Sequence, residues 1–262
     1  MAVVWIASYP KSGNTWLRFM LASYLTKGPI TSVRSVNSLI PVVGGMVSNR
    51  GGLPLGRRDP LLVKTHALPS ASAVQPFREN TRKAVYLVRN PRDIILSLIR
   101  HSGAPAGSGQ ARGMAKNFIS HRGMPMLNTK LEFGNWPDNV LAWTQPTAVR
   151  QYFPEIEVLP VRYEDMRADP VASLHKVLDF LALNGPVLRE DVEQAVANTS
   201  LEKMRALEAE EMRGAAAGQR NPFGSRGQFV GQGLHNQSLA GLGPDVEQEY
   251  QDLFRGDSDF AR

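Results

Sequence analysis

The sequence predicts an α/β fold: a central, mainly parallel sheet flanked by helices, forming one domain over residues 1–262. Three observations carry this. Short apolar, β-branched runs alternate with helix-like segments. No internal repeat and no linker-like stretch divides the chain. A length of 262 residues, 42% of them hydrophobic, is enough to build one large core.

Taken in order, Val3-Val4-Trp5-Ile6-Ala7 reads as a strand buried on both faces, and Tyr9-Pro10-Lys11-Ser12-Gly13-Asn14-Thr15 as the turn that ends it. Apolar residues at helical spacing (Trp16, Phe19, Met20, Tyr24) predict a helix from Trp16 to Leu25. Leu61-Leu62-Val63 and Ala84-Val85-Tyr86-Leu87-Val88 predict buried strands, and Ile156 to Val161 a more alternating one. Asn90-Pro91-Arg92-Asp93 predicts a helix start, with Asn as cap and Pro in the first position. Asp169-Pro170 opens another, with Leu174, Val177, Leu178 and Leu181 on one face, and Thr199-Ser200-Leu201-Glu202 reads as a capping box. Thr31 to Asp59, Ser102 to Gly113 and Gly214 to Gly227 read as loops, either mobile lids and acceptor-binding segments or plain surface disorder.

Composition removes several function classes. No run approaches the roughly 18 to 20 apolar residues of a membrane-spanning helix. The opening MAVVWIASYP lacks the basic region and cleavage pattern of a secretory signal, so a cytoplasmic protein with no membrane partner is expected. The absence of Cys excludes disulfides, thiolate nucleophiles and Cys-based metal sites. A formal charge of +6 suits an anionic ligand, but the basic residues are scattered in short runs such as Arg57-Arg58 and Arg82-Lys83, so nucleic acid is not an expected partner.

Three segments carry chemistry. The Tyr9–Thr15 turn, between strand and helix, predicts backbone N–H groups converging at a helix N-terminus, an anion site. Lys11 adds positive charge, Ser12, Asn14 and Thr15 add hydrogen-bonding groups, and Gly13 allows close approach of a ligand. With Lys ahead of Gly this is not the GxxxxGK[ST] pattern, and a generic strand-to-helix turn is the plain alternative. Arg89, at a strand's carboxyl end, is placed to bind a second phosphate bidentately, with Ser97 in reach on the following helix. Arg92 and Asp93 are expected to pair with each other. Lys64 and His66 follow a strand at i and i+2, where α/β folds place ligands, which makes His66 a candidate base. His101, His121, His175 and His235 have no such setting, and His175 is expected on a helix surface.

These segments resemble the sulfotransferases that use 3′-phosphoadenosine 5′-phosphosulfate (PAPS), whose fold is P-loop-like. Tyr9–Trp16 is similar to the family's 5′-phosphosulfate loop, Val88–Asp93 with Ser97 to its 3′-phosphate motif, Lys64-Thr65-His66 to its catalytic segment, and Arg162-Tyr163-Glu164-Asp165 to the segment whose Tyr contacts adenine. Trp136–Val140, Gln228–Gly233 and Gly256-Asp257-Ser258 resemble the bacterial enzymes that sulfate glycopeptide antibiotics. The resemblance implies in-line sulfuryl transfer from PAPS to a hydroxyl of a small-molecule or glycopeptide acceptor, leaving 3′,5′-ADP, with no metal. It implies that Lys11 stabilises the leaving group and His66 is the base. Lys64 assists it, and Ser97 completes the catalytic set. Arg89 and Ser97 would hold the 3′-phosphate, and Trp16, Tyr163, Thr199 and Leu201 would surround the adenine, although the capping box explains Thr199 equally well. The family's Arg-Lys-Gly and Gly-x-Trp are here Ser225-Arg226-Gly227 and Gly231-Gln232-Gly233; Arg226 and Gly227 are assigned to the 3′-phosphate. An animal-type dimer motif is absent near the C-terminus, which leaves open whether the chain forms a homodimer. A small-molecule kinase is disfavoured by the reversed Lys/Gly order and the missing Mg²⁺ motif. A silent nucleotide binder has no use for Lys11, Lys64 and His66.

Overall fold

A computed structural model describes residues 1–44, 59–125, 131–183, 185–213, 230–231 and 233–254. Five strands, β1 (Val3–Ser8), β2 (Val42–Val43), β3 (Leu61–Thr65), β4 (Thr81–Val88) and β5 (Glu157–Arg162), form one sheet in the order β2-β3-β1-β4-β5. Every pairing is parallel, with Trp5 opposite Val63 on one side and Ala84 on the other. That is the sheet expected from apolar runs without alternation, because both faces are covered.

The period of two sorts each strand between two cores. Val3, Trp5, Ala7, Leu61, Val63, Ala84, Tyr86 and Val88 pack with α3 (Pro91–Ser102), α4 (Gly109–Ser120), α5 (Trp136–Thr144), α6 (Pro146–Arg150) and the C-terminal α11 (Pro244–Phe254). Val4, Ile6, Leu62, Val85 and Leu87 pack on the opposite face with α1 (Asn14–Thr26), α7 (Tyr163–Ala168), α8 (Pro170–Leu181) and α9 (Arg189–Asn198). A smaller cluster joins α1 to α2 (Val33–Leu39) and α10 (Leu201–Arg213) through Phe19, Val36, Met204 and Leu207. No helix among the described residues is long and apolar enough to cross a membrane.

Four local expectations are corrected. Within Thr31–Asp59 the structure places α2, capped by the Ser32 hydroxyl on the Ser35 N–H, and then β2. The second loop ends early, because Ser108 caps α4 at Ala111 N, and the helix buries Ala111, Ala115, Phe118 and Ile119. Two of those four are alanines, so an apolar count reads the segment as loop. In the capping box it is Ser200 that accepts from Lys203 N, whereas Thr199 ends α9 and donates its hydroxyl to Ala195 O at 2.9 Å. Arg92 and Asp93 do not pair with each other: Arg92 bonds Glu247 at 2.6 Å, and Asp93 accepts from Asn236 N, Gln237 N and Gln237 Nε2. Both tie the C-terminal segment onto α3. The stretch 214–227 lies outside the described residues.

Candidate active site

β1 has its successors in the chain on opposite sides, β3 to one side and β4 to the other, so the crevice at its carboxyl end is a topological switch point. A cleft of about 330 Å³ opens there, lined by Lys11, Gly13, Thr15, Trp16, Lys64, His66, Arg89, Ser97, Tyr163, Thr199 and Leu201 among others. Three strand ends that are distant in sequence thus deliver the three predicted segments to one place.

The loop after β1 is held in an uncommon conformation. Lys11 sits at φ 69° and Gly13 at φ 95°, so Gly13 begins α1 in the left-handed region. A Cβ on Gly13 would lie 2.5 Å from Cδ2 of Tyr163, so only glycine lets the ring seat here. The first bond of α1 runs from Leu17 N to Gly13 O, which leaves the N–H groups of its first turn without partners inside the helix. Of the predicted side-chain donors, Asn14 is committed to β1, and the buried Ser12 hydroxyl has no partner among the described residues. Asn14 spends its amide on Ile6 O at 2.9 Å and Ser8 Oγ at 3.2 Å. Ser12 is fully buried and does not line the cleft.

On the β3 side, His66 Nδ1 lies 2.7 Å from the Ser8 carbonyl oxygen. A carbonyl only accepts, so Nδ1 carries the proton and Nε2 keeps its lone pair. Burial and the neighbouring Lys64 charge hold the imidazole pKa well below its ordinary value, against the opposing pull of the Ser8 carbonyl. His66 is therefore neutral at pH 7, as a proton acceptor must be. Its position is set by Asn139 of α5, fully buried, whose Nδ2 donates to His66 O at 3.0 Å and Phe133 O at 2.7 Å, while its Oδ1 accepts from Tyr86. The Phe133 ring meets the imidazole edge-on at 5.8 Å. The Trp136–Val140 segment thus packs the core and braces His66.

Charge in the cleft is lopsided. Lys11 is pushed down to about 7 by burial and by Arg89 and Arg100, with Glu208 pulling the other way. Lys64 is likewise lowered to about 7, by burial, Arg18 and Lys11. A cluster of cations that suppress one another's charge is an anion site by its electrostatics. The donor set fits a polyanionic nucleotide: N–H groups at a helix start, a glycine cradle with no room for a Cβ, and ammonium and guanidinium groups.

Arg89 lies on the β4 side, with its guanidinium 4.0 Å from the centre of the Tyr163 ring and its two terminal nitrogens donating to Lys11 O and Leu234 O. It thus ties the loop after β1 to the segment that precedes α11. Ser97 faces the same cleft from the second turn of α3. Trp16 donates to the Thr199 carbonyl at 3.0 Å and meets Tyr163 edge-on at 6.4 Å, so Thr199 acts here through its backbone. Leu201 lines the same wall. Arg226 and Gly227 lie outside the described residues, as do Gln228, Phe229, Gln232 and 256–258.

Sequence reasoning missed Arg18, Asn37, Arg100, His101 and Phe133, all of which line the cleft. His101 has no functional setting in the sequence and reaches the cleft because α3 turns it there. Arg18 is almost fully buried and donates to Asn37 Oδ1 at 2.8 Å, an α1–α2 contact that no local motif announces. His175 stands on the α8 surface as expected, bonded to Asp179.

A family model described as the sulfotransferase domain matches residues 2–255. Human sulfotransferase 2B1 is 27% identical over 209 residues, covering 78% of this chain and 52% of its own length. Dog sulfotransferase 1B1 is 28% identical over 207 residues, covering 76% and 65%. The chain thus spans between half and two thirds of these relatives' length. Among solved structures, mouse sulfotransferase SULT7A1 complexed with PAP shares the fold at a TM-score of 0.61 and 19% identity, over 99% of this chain and 86% of its own. Retinol dehydratase in complex with retinol and PAP does so at 0.56 and 17%, over 97% and 81%. Parallel sheet, switch-point cleft and a match over nearly the whole length lead to one assignment: the chain belongs to the sulfotransferase domain family.

Proposed function

We propose that this chain transfers the sulfuryl group of PAPS to an acceptor hydroxyl. The observation that carries the reading is one cleft in which a neutral His66, its Nδ1–H spent on Ser8 O, faces a cationic anion site built from Lys11, Lys64 and Arg89. That the structural neighbours were solved with PAP supports the donor class. PAPS, when bound, supplies the sulfuryl group and a phosphate leaving group.

The chain's own residues then do four things. The first-turn N–H groups of α1 and the Lys11 ammonium offset charge that develops on the leaving oxygen, the kind of preorganised stabilisation that dominates phosphoryl and related transfers. Arg89 and Ser97 fix the nucleotide's 3′-phosphate. Trp16 and Tyr163 provide the aromatic wall for the base. Nε2 of His66 takes the proton from the acceptor hydroxyl, worth roughly 10²- to 10⁴-fold in rate. Burial, and after it the nearby Lys64 charge, keeps the imidazole unprotonated and ready to accept.

For the acceptor we infer a phenolic or sugar hydroxyl of a natural-product scaffold. The glycopeptide antibiotics suggested by the sequence resemblance are the first scaffold to try, and simple phenols the second. Phe19, Val33, Val42, Met124 and Phe133 give the cleft an apolar wall suited to a ring-bearing acceptor.

Calorimetric titration with 3′,5′-ADP, 5′-AMP and ATP–Mg²⁺ tests the donor class. Micromolar binding that depends on the 3′-phosphate is expected. A preference for ATP–Mg²⁺ overturns the reading in favour of a kinase, and binding without turnover across an acceptor screen favours a silent binder.

A further inference from the structure

Arg100 stands one turn beyond Ser97 on the same face of α3, half-buried and lining the cleft. Its guanidinium lies flat against Gly231: a Cβ there would sit 3.1 Å from Nε and 3.4 Å from Nη2. Other arginines of the cleft have at least one guanidinium nitrogen engaged. Arg18 bonds Asn37 and Ile40 O, Arg89 bonds Lys11 O and Leu234 O, and Arg167 bonds Gly233 O. Arg100 makes neither a hydrogen bond nor a salt bridge to any described residue.

Its electrostatic surroundings are mixed. Arg89 repels it, and it in turn helps to depress Lys11. Asp93 and Tyr163 attract it, but both Asp93 oxygens already accept bonds from Asn236 and Gln237. A half-buried guanidinium that bonds no described residue, with Arg89 beside it, is better satisfied once an anion arrives. Both terminal nitrogens of Arg89 already hold a carbonyl, whereas those of Arg100 hold no described residue.

We propose that Arg100 is a nucleotide-binding residue of this chain, gripping the 3′-phosphate together with Arg89 and Ser97. The proposal rests on the reading of the cleft as a site for a 3′-phosphorylated adenine nucleotide.

The test is calorimetric titration of the wild type, Arg100→Ala and Arg100→Lys with 3′,5′-ADP and with 5′-AMP, without acceptor, alongside the melting temperature of each free protein. Loss of one charge-assisted contact weakens 3′,5′-ADP binding by roughly 10- to 100-fold in Arg100→Ala and leaves 5′-AMP within about twofold. Arg100→Lys recovers part of the loss, since it keeps the charge without the fork. The free Arg100→Ala protein melts close to the wild type, because the repulsion from Arg89 and the attraction of Asp93 and Tyr163 are lost together. Equal losses for both nucleotides, or no loss, overturn the proposal while the nucleotide site stands. So does a free protein that melts lower, with a matching loss for both ligands. An unaffected 3′,5′-ADP affinity together with a raised KM for an anionic acceptor assigns Arg100 to the acceptor instead. A wild type that binds neither nucleotide removes the underlying reading as well.

Discussion

Nucleotide binding should draw protons onto the protein. In the free cleft Lys11 and Lys64 are lowered to about 7 by burial and by one another's neighbourhood of cations. At pH 8 each is therefore about nine-tenths neutral, whereas a bound polyanion favours the charged form of both and returns them toward the ordinary lysine value of about 10.4. Binding 3′,5′-ADP at pH 8 then takes up between about one and two protons, because the nucleotide's own phosphates, with a second pKa of about 6, contribute almost none there. Calorimetry in Tris and in HEPES at equal ionic strength reads this directly, since the observed heat differs by the proton count times the difference in buffer ionisation heats. The affinity should fall up to tenfold per lysine for each pH unit above 7. The sign for stability is opposite. Between about 7 and 10 the unfolded chain holds protons that the free folded cleft does not, so these lysines make the free protein more stable as pH rises, while the stabilisation by nucleotide shrinks. Heats independent of buffer, or an affinity flat between pH 7 and 9, would refute the claim that the two ammonium groups are held discharged until the anion binds.

Further outcomes follow from contacts in the site. Gly13→Ala meets both a left-handed backbone, unfavourable by about 1–2 kcal/mol for a residue with a Cβ, and the Tyr163 ring at 2.5 Å. Chemical denaturation should show that loss, and 3′,5′-ADP binding should weaken because Arg89 stacks on the displaced ring. Asn139→Ala leaves the buried Tyr86 hydroxyl and the His66 and Phe133 carbonyls without their partner. It should lower stability by roughly 2–4 kcal/mol and reduce kcat more than nucleotide affinity; an unchanged kcat would separate Asn139 from the alignment of His66.

What was legible in the chain was what is local. The apolar runs of β1, β3 and β4 announce a sheet covered on both faces, and Tyr9–Thr15, Lys64-Thr65-His66 and Arg89–Ser97 each stand at a strand's carboxyl end, where switch-point topology brings them together. What was illegible depends on partners far away in sequence. Arg18 is committed to α2 by Asn37, and His66 is braced by Asn139, 73 positions on. Asn14 has the composition of a ligand donor, yet the strand it follows claims its amide. The Ala111/Ala115 stripe of α4 carries too little hydrophobicity to signal a helix, although its close packing against the core is what positions that helix. Thr199 satisfies a capping pattern on paper, but the preceding helix ends on it first and takes its hydroxyl.

The most direct test of the account is turnover by His66→Ala with PAPS and a phenolic or glycopeptide acceptor, measured beside 3′,5′-ADP binding by the same protein. Proton transfer at Nε2 predicts a loss of roughly 10²- to 10⁴-fold in kcat with nucleotide affinity essentially retained. Wild-type turnover in His66→Ala would contradict it.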